Sequence, residues 1–404
     1  MPKKKKEKWV KPRHRAWRRF INFVLRPYIW VHYHAKFRPF KEEGKRQYLV
    51  VFNHQTAFDQ FFAMRIFKQP LYILASEDLF SNGWVSDIIR RSINPIPIKK
   101  QATDPRAIMN CLRVIREGGS LALAPEGNRT YSGKTEYMKP SVVSLAKALK
   151  LPIAFMRIEG GYGVYPRWSD KARKGKMEVY VSKVLEPEEY LPMSNEELFD
   201  VIRKELWVDE GRDCGEYKSK RLAEYLERVA YVCPDCGLST FASEKDVITC
   251  QKCGKQVRYL PNKRLQGVGF DFPFAFYAQW YDYQSEFVRN YDFTQHTKEP
   301  LYVDTVRLSE VILYKNKQLI CEQATLSLYG DKVTLEWDGQ TLEMPFADIS
   351  VATVLGRNKL NLYYGGKVYQ CKGEKSFNAV KYVQLCYKCK NVLKGEPNDE
   401  FLGL

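Results

Sequence analysis

The sequence predicts an α/β domain with a mostly parallel sheet, followed by a small cysteine module and a C-terminal β-rich domain. Three observations lead to this prediction. From residue 48 onward, short apolar runs alternate with amphipathic segments, as in βαβ units. Two Cys-x-x-Cys pairs then follow, and residues 301–404 divide into short alternating segments separated by turns. A chain of 404 residues is long enough for two or three such domains.

Strands and helices are predicted to alternate within the α/β domain. The helix after residue 103 has the clearest boundaries, because Asp104 suits its N-cap, Pro105 suits its first position and Gly118 follows its end. Strands are predicted at 48–52, 71–75, 120–125, 152–158 and 176–184, and helices at 57–67, 105–117 and 140–150. A cluster of Gly, Asp and Glu near residue 210 predicts the end of this domain.

The C-terminal part contains seven short segments with strand character and a final helical segment, SFNAVKYVQLCYKCKNVL. Turn signals at 337–339 (Trp-Asp-Gly) and 364–366 (Tyr-Gly-Gly) separate some of these strands. Seven strands followed by a helix resemble a pleckstrin-homology (PH) or GRAM-type domain in outline. Such a resemblance implies a docking role toward lipid headgroups or proteins.

Positive charge is concentrated at the N-terminus. The chain has a net charge of +18, and residues 1–26 supply +10 of it through six Lys and five Arg against one Glu. The other residues carry only +8, which favours a folded body with one basic arm over a uniformly basic nucleic-acid-binding protein. The arm lacks the apolar core and cleavage site of a secretory signal, and no apolar stretch reaches the ~18–20 residues of a spanning helix.

A basic amphipathic helix is predicted within this arm. Its apolar residues recur at spacings of three and four: Trp17, Phe20, Ile21, Val24, Leu25, Tyr28 and Ile29. Arginines lie on or flank the other face, and Pro27 is expected to kink or break the helix. This arrangement suits a helix at an anionic membrane surface, and predicts a cytoplasmic protein peripheral to the inner face of the cell membrane. The alternative is a helix packed on its own domain.

The ten cysteines include three close pairs, which is typical of metal binding in a reducing compartment rather than of disulfides. Cys233, Cys236, Cys250 and Cys253 form two Cys-x-x-Cys-Gly knuckles with thirteen residues between them. This spacing suits a closed, structural Zn²⁺ site and resembles a zinc ribbon, with a redox pair or an iron site as alternatives. The other six are predicted to be small packing residues: Cys111, Cys214, Cys321, Cys371, Cys386 and Cys389.

The segment YLVVFNHQTAFDQFF, residues 48–62, contains the most informative polar pattern. An apolar run ends in Asn53 and His54, and Asp59 follows five residues after the histidine. On a continuous helix this spacing separates two side chains by about 140°, so they meet only if His54 lies in a loop and Asp59 in the first helical turn. Thr56 is the predicted N-cap of that helix.

If the two side chains meet, the Asp59 carboxylate holds one ring nitrogen of His54 and leaves the other to take a proton from a hydroxyl group. Two structural alternatives stay open at this point. Thr56 and Asp59 also fit a variant of the capping box, in which the carboxylate only stabilises the helix start. His54 could equally hydrogen-bond a backbone carbonyl.

A second polar pattern, APEGNRTYSG, follows the strand at 120–125. Its turn precedes Arg129, whose guanidinium suits phosphate oxygens at the end of a sheet, and the alternative is a salt-bridged arginine in a polar turn. NHQTAFD and EGNR resemble the H-x-x-x-x-D and E-G-T-R motifs of the glycerolipid acyltransferases, above all the lysophosphatidic acid acyltransferases. Residues 83–100 and the segment from Leu151 resemble two further motifs, although Lys100 stands in place of Arg and Asn128 in place of Thr.

The resemblance, which covers residues 15–210, implies an O-acyltransferase of phospholipid biosynthesis. It would move a fatty acyl group from acyl-CoA or acyl carrier protein to lysophosphatidic acid and form phosphatidic acid. His54 is implied as the general base and Asp59 as the group that orients it, with direct attack on the thioester because the chain has no Gly-x-Ser-x-Gly elbow. Substrate binding is implied for Lys100, Glu126, Gly127, Asn128 and Arg129.

Two other functions stay open: an acyltransferase with a different lysolipid acceptor, and a non-catalytic zinc-ribbon binding protein on a degenerate acyltransferase fold. The aromatic stretch 270–293 is expected to form a helix packed against the catalytic domain. It carries carboxylates that would repel phosphates, so nucleic acid is disfavoured as a partner: Asp271, Asp282, Glu286 and Asp292.

These predictions divide the chain into five segments. They are a basic amphipathic membrane-associating segment (1–30), an acyltransferase domain (31–210), a zinc-ribbon-like module (231–260), an aromatic-rich connecting helix (261–300) and a PH/GRAM-like β-domain (301–404). The second segment contains both predicted catalytic residues, His54 and Asp59.

Overall fold

The computed structural model describes residues 8–98 and 104–404, which form two compact units. The first comprises the chain up to residue 129 together with 138–161 and 176–208, and the second comprises 130–137, 162–175 and 209–404. None of the described helices is long and apolar enough to cross a membrane. The division into five segments is finer than these two units and stays a prediction.

The first unit is built on a seven-stranded sheet. Its strands are β1 (Ala35–Phe37), β2 (Leu49–Phe52), β3 (Leu71–Ser76), β4 (Ile96–Ile98), β5 (Ser120–Leu123), β6 (Ile153–Glu159) and β7 (Met177–Leu185), in spatial order β1-β7-β6-β2-β5-β3-β4. Neighbours run parallel except β6 and β7. The predicted α/β domain with a mostly parallel sheet is confirmed, and β1 and β4 are short strands that the sequence patterns did not predict.

The helices of the chain up to residue 210 are α1 (Pro12–Tyr33), α2 (Asp59–Ile66), α3 (Trp84–Ser92), α4 (Pro105–Arg116), α5 (Ser141–Leu149), α6 (Gly161–Val164), α7 (Pro187–Tyr190) and α8 (Asn195–Leu206). Asp104 caps α4 as predicted, and its carboxylate accepts two backbone N–H groups at 3.1 Å. Pro27 was expected to kink or break α1, and it does not break it, because α1 continues through it to Tyr33. Burial of Ile29 and Tyr33 beyond the proline offsets the hydrogen bond that it removes.

The middle of the sheet positions the candidate site. Every residue of β2 and β5 is buried, which explains why both strands are continuous apolar runs in the sequence. Because β2 pairs in parallel with both β5 and β6, the loops that follow these three strands meet at one edge of the sheet. The polar residues after β2 and β5 are therefore neighbours in space.

The second unit begins with a small ribbon of short strands. These are β8 (Val232–Cys233), β9 (Gly237–Leu238), β10 (Phe241–Glu244), β11 (Val247–Cys250), β12 (Gln256–Tyr259) and β13 (Leu265–Gly267). Helix α9 (Tyr277–Asn290) follows, and its Trp280 side chain donates a hydrogen bond to the carbonyl of Val232 at 2.8 Å. The buried aromatic residues of α9 belong to the core of the second unit, where Tyr281 stacks on Tyr131, a residue within the range predicted for the catalytic domain (31–210).

A larger antiparallel sheet completes the second unit. Its strands are β14 (Tyr302–Glu310), β15 (Gln318–Leu328), β16 (Lys332–Trp337), β17 (Gln340–Pro345), β18 (Val351–Leu355), β19 (Lys359–Tyr364) and β20 (Lys367–Gly373), and helix α10 (Val380–Leu393) follows them. The spatial order is β17-β16-β15-β14-β20-β19-β18, so the first strand pairs with the last. Seven strands followed by one helix confirm the predicted β-rich, PH-like domain.

Candidate active site

The loop between β2 and α2 contains the two predicted catalytic residues. Strand β2 ends at Phe52, and α2 begins at Asp59. His54 lies in the intervening loop, and its Nδ1 is 2.8 Å from Oδ2 of Asp59. The fold therefore produces the contact that the spacing of five residues predicts.

Asp59 is fully buried and organises the whole loop. Its oxygens accept the backbone N–H of Gln55 at 2.8 Å, the backbone N–H of Thr56 at 2.9 and 3.0 Å and the Thr56 hydroxyl at 2.6 Å. Carboxylate oxygens accept hydrogen bonds, so the backbone N–H groups, the Thr56 hydroxyl and a ring N–H of His54 all donate to Asp59. His54 therefore donates from Nδ1–H, and Nε2 has the lone pair that can accept a proton.

The carboxylate of Asp59 has two roles. It binds His54, and it holds the loop before α2 by accepting the N–H of Thr56, although the two residues do not form a capping box. Thr56 is not the N-cap, which is Phe58, so that prediction was wrong by two residues. The Thr56 hydroxyl donates to Asp59 and accepts the N–H of Phe58 at 3.0 Å, instead of capping an N–H group inside α2.

Glu126, in the loop after β5, supports the same loop from the neighbouring strand. Its side chain is buried, and Oε1 accepts the backbone N–H of His54 at 2.8 Å. Gly127 closes a turn by donating its N–H to the carbonyl of Ala124 at 3.0 Å, with a φ of +67° that glycine adopts without strain. Glu126 therefore helps to position His54, and Gly127 shapes the turn that follows Glu126.

Asn53 supports the loop from the other side. Its buried amide pairs with the backbone of Ile158 in β6, donating to the carbonyl and accepting the N–H, both at 2.8 Å. Asn53 belongs to the motif NHQTAFD, but no role was predicted for it. A polar side chain directly after a fully buried strand was the available signal.

His54 faces a cavity of about 400 Å³ within the first unit. Most of its wall is apolar and comes from Phe52, Phe61, Ile73, Leu74, Leu79, Ile89, Ile93, Ile98, Leu123, Val142 and Leu145. The polar side chains in the wall include His54, Gln60, Glu126 and Lys139. This volume, with apolar walls and a few polar groups, is typical of a small-molecule site.

Lys139 is a cavity residue that the sequence analysis missed. It lies just before α5 and is half-buried, and this burial lowers the pKa of its ammonium group. Its ammonium group forms no hydrogen bond or ion pair within residues 8–98 and 104–404, although its backbone carbonyl accepts the N–H of Val142 at 3.2 Å. No pattern distinguishes it among the 65 Lys and Arg residues of the chain.

Two further predicted substrate-binding residues lie outside the cavity wall. Asn128 is buried and Arg129 is half-buried, and neither is part of the cavity wall. Lys100 lies outside the described residues. The structure thus brings together His54, Asp59, Glu126 and Gly127, and leaves Asn128 and Arg129 outside the wall.

The four predicted zinc ligands form a separate cluster in the second unit. The sulfur atoms of Cys233, Cys236, Cys250 and Cys253 all lie within 4.8 Å of one another. Gly237 and Gly254 follow the second cysteine of each pair with φ values of +68° and +72°, which allow the tight knuckle turns.

The chemistry of this cluster fits Zn²⁺. Burial raises the pKa of the Cys233 thiol to about 12, whereas at Cys250 hydrogen bonds from the backbone N–H groups of Cys253 and Lys252 outweigh burial and lower the pKa to about 7. Thiolate is the form that binds metal. Four sulfurs fill a tetrahedral zinc site completely, which is typical of a structural role.

Five of the six remaining cysteines lie where the sequence predicts packing residues. Cys111, Cys371 and Cys386 are buried, and Cys321 and Cys389 are half-buried. The prediction was wrong for Cys214, which lies exposed in a loop with its sulfur 2.7 Å from Nζ of Lys263.

Two parts of this chain match known protein families. Residues 30–159 match the model of the acyltransferase family, and residues 226–264 match a zinc-ribbon model described as the 7 kDa subunit of DNA-directed RNA polymerase. The 1-acyl-sn-glycerol-3-phosphate acyltransferase of Bacillus subtilis (strain 168) is 21% identical over 132 residues, which cover 33% of this chain. These residues span 63% of the length of that relative.

Among solved structures, the 1-acyl-sn-glycerophosphate (LPA) acyltransferase PlsC from Thermotoga maritima is 21% identical, with a TM-score of 0.40. The match covers 49% of this chain and 80% of that one. The segment matched by the acyltransferase model contains His54, Asp59, Glu126 and Arg129, and the segment matched by the zinc-ribbon model contains all four clustered cysteines. Residues 30–159 of this chain therefore match the acyltransferase family, as the two motifs predict.

Proposed function

We propose that the first unit moves a fatty acyl group from acyl-CoA or acyl carrier protein to the free hydroxyl of lysophosphatidic acid, forming phosphatidic acid. The observation that carries this proposal is the His54–Asp59 pair at the wall of an apolar cavity. The acyltransferase match supports the reaction class, and the activity named for the Bacillus subtilis relative supports the acceptor.

In the proposed reaction, Nε2 of His54 takes the proton of the acceptor hydroxyl while the hydroxyl oxygen attacks the thioester carbonyl carbon. The buried Asp59 carboxylate stabilises the imidazolium that forms, because it is 2.8 Å from Nδ1. The carbon–sulfur bond then breaks, and the leaving thiolate takes the proton back from His54. The acyl group is thereby transferred without an acyl-enzyme intermediate.

The residues around His54 act by positioning it. Glu126 holds its backbone N–H from β5, and Asn53 fixes the start of the loop to β6. A base held from both neighbouring strands needs little reorganisation before it meets the hydroxyl group. In this proposal the apolar wall of the cavity holds acyl chain.

Helix α1 is the proposed membrane contact. One side packs on the first unit through His14, Ile29 and Tyr33, so the expectation that Ile29 faces the membrane was wrong. Another side exposes an apolar stripe at helical spacing: Phe20, Phe23, Val24, Trp30 and Val31. Exposed arginines flank the stripe, which supports peripheral binding to an anionic surface such as the inner face of the cell membrane.

Helix α3 links this membrane contact to the cavity. Trp9, just before α1, and Asn94, just after α3, exchange two hydrogen bonds between side chain and backbone at 2.9 and 3.0 Å. On α3, Trp84 and Ile88 are exposed, while Ile89 and Ile93 at its carboxyl end line the cavity. A lipid that leaves the bilayer beside α3 would therefore have a short apolar route to His54.

For the second unit we propose one structural Zn²⁺ per chain, held by the four clustered cysteines. Elemental mass spectrometry on freshly purified protein tests this directly. One zinc per chain is expected, and metal-free or iron-containing protein would contradict it.

The test of the transferase is acyl transfer by the purified full-length protein in lipid vesicles, with each donor type in turn. Lysophosphatidic acid, lysophosphatidylcholine and monoacylglycerol are compared as acceptors. We expect phosphatidic acid as the main product. A product from another acceptor alone would reassign the substrate, and no product from any pair would contradict the enzymatic function and favour the non-catalytic alternative.

A further inference from the structure

Lys139 differs from the other charged groups of the His54 cavity. Among the wall residues within 8–98 and 104–404, it alone carries an ammonium or guanidinium group, and Glu126 alone carries a carboxylate. Glu126 accepts the backbone N–H of His54, so its role in supporting the loop is visible in the structure. No comparable protein contact of the Lys139 ammonium group is present in the described part of the chain.

The fold gains nothing from a positive charge at this position. Partial burial disfavours the charged ammonium group, and no carboxylate of the described residues lies within ion-pair distance to offset this cost. Lys139 also precedes the first residue of α5, Ser141, by only two positions. A cation there is repelled by the positive end of the helix dipole, and α5 has no acidic residue in its first turn to compensate.

An anion in the cavity would remove both costs, because it would pair with the ammonium group and also lie near the helix start. We propose that Lys139 is a specificity-determining residue that binds a phosphate group of a substrate in the His54 cavity. This inference rests on the proposed function. Either substrate could supply this phosphate group, because lysophosphatidic acid has a phosphate monoester and acyl-CoA also has phosphate groups.

This assignment differs from the one based on sequence. Arg129, the predicted phosphate-binding residue, is not part of the cavity wall, whereas Lys139 shares that wall with His54. An ammonium group on a flexible stem acts as a point charge, so it can follow a phosphate without the fixed geometry that a guanidinium fork requires.

The first experiment separates KM from kcat in three variants: Lys139→Met, Lys139→Arg and Lys183→Met. Lys183 is an exposed lysine of β7 outside the cavity wall and serves as the matched control. Loss of one charge-assisted contact predicts a KM about 10- to 100-fold higher in Lys139→Met, with kcat changed little. Lys139→Arg should recover most of the loss, and the control should match wild type.

Substrates without phosphate identify the source. If the acceptor supplies the phosphate, the KM for lysophosphatidic acid rises and the defect disappears with monoacylglycerol. If the donor supplies it, the KM for acyl-CoA rises and the defect disappears with an acyl-N-acetylcysteamine thioester. Either pattern supports the assignment, and unchanged KM values for all substrates in a folded Lys139→Met protein would overturn it.

A binding measurement keeps this inference apart from the proposed reaction. Short-chain, water-soluble lysophosphatidic acid and coenzyme A are each titrated calorimetrically into wild type and Lys139→Met, without turnover. A 10- to 100-fold loss of affinity for one ligand would support the phosphate site even if no acyl transfer were found. Equal affinities, or no binding of either ligand to wild type, would overturn it. Thermal unfolding confirms that the variant is folded, and we expect no loss of stability.

Discussion

The His54 cluster and the cysteine cluster use similar local structure in different surroundings. Glycines with positive φ close the turns of both, Gly127 beside Glu126 and Gly237 and Gly254 beside the cysteines. Backbone N–H groups hold the important side chains in both, at Asp59 and at Cys250. The difference is that His54 faces a cavity of about 400 Å³, whereas the four sulfurs face one another within 4.8 Å.

Because of this difference, the cysteine cluster can stabilise the fold, whereas the His54 cluster can act on a ligand. Sulfurs that converge on one point can fill a metal's coordination sphere, so the cluster holds the fold together but offers no position to a substrate. A histidine whose orientation is set by a buried carboxylate, and which lines a cavity, can exchange a proton with a ligand. Substitutions in the cysteine cluster should therefore change stability first, and substitutions at His54 and Asp59 should change turnover first.

The largest effect is expected from removing the metal. In Cys250→Ser, zinc should be lost together with much of its binding free energy, which is about 10–16 kcal/mol for zinc-finger peptides at pH 7. We expect an early unfolding transition and sensitivity to proteolysis near residues 226–264, measured by calorimetry with and without chelator. Cys214→Ser, which lies outside the cluster, is the control. A metal-free Cys250→Ser protein that unfolds like wild type would show that the cluster is not structural.

Asp59→Asn tests the other side of the comparison. The amide nitrogen cannot accept the N–H groups of Gln55 and Thr56, and the side chain no longer stabilises a charged His54. The rate of acyl transfer should fall by about 10²–10⁴-fold, while the free energy of unfolding should fall by only ~1–3 kcal/mol. Asp200→Asn, at an exposed position of α8, should change neither. Normal turnover in Asp59→Asn would mean that Asp59 only stabilises the loop before α2.

The exposed stripe of α1 sharpens the comparison by testing how lipid reaches the cavity. Phe23 and Trp30 are 78% and 72% exposed, so replacing both with Ser should weaken binding to anionic vesicles by about 10- to 100-fold with little effect on folding. Trp207→Ser, at an exposed position after α8, is the control. Vesicle sedimentation measures the effect, and equal binding of all three proteins would place the membrane contact elsewhere.

His14 provides a buried histidine of the first unit that does not line the cavity. Its Nδ1 is 2.9 Å from the Tyr72 hydroxyl, and burial together with Arg13 and Lys11 lowers its pKa to about 4. The unfolded chain takes up this proton near pH 6.5, so the stabilisation by neutral His14 is complete above pH 6.5 and is lost as the pH falls toward 4.

When the pH is lowered from 7 to 5, protonation of His14 in the unfolded chain should lower the free energy of unfolding by about 1–2 kcal/mol. Urea unfolding of wild type and His14→Gln at both pH values measures it, and the variant should show a smaller pH dependence with normal turnover. A loss of turnover in a folded His14→Gln protein would contradict the purely structural role of His14.

Local patterns predicted much of this molecule. The continuous apolar runs of β2 and β5, the Asp104 cap of α4 and the four-cysteine cluster depend on neighbouring residues, and each appeared as expected. The contact between His54 and Asp59 was also predictable, because five residues of chain after a strand allow few arrangements.

Features that depend on tertiary packing were missed or wrong. Lys139 reaches the His54 cavity only because the fold brings the start of α5 beside the loops after β2 and β5, and no sequence spacing encodes this. Pro27 lies inside α1 because Ile29 and Tyr33 are buried beyond it. Thr56 is not the N-cap of α2, because its hydroxyl group donates a hydrogen bond to Asp59 instead.

The most direct test of the central claim is acyl transfer to lysophosphatidic acid by wild type and His54→Ala at saturating donor. If His54 is the general base, the variant should lose about 10²–10⁴-fold or more in kcat and retain the wild-type unfolding midpoint. A folded His54→Ala protein that forms phosphatidic acid at the wild-type rate would contradict the assignment and require another group to take the proton.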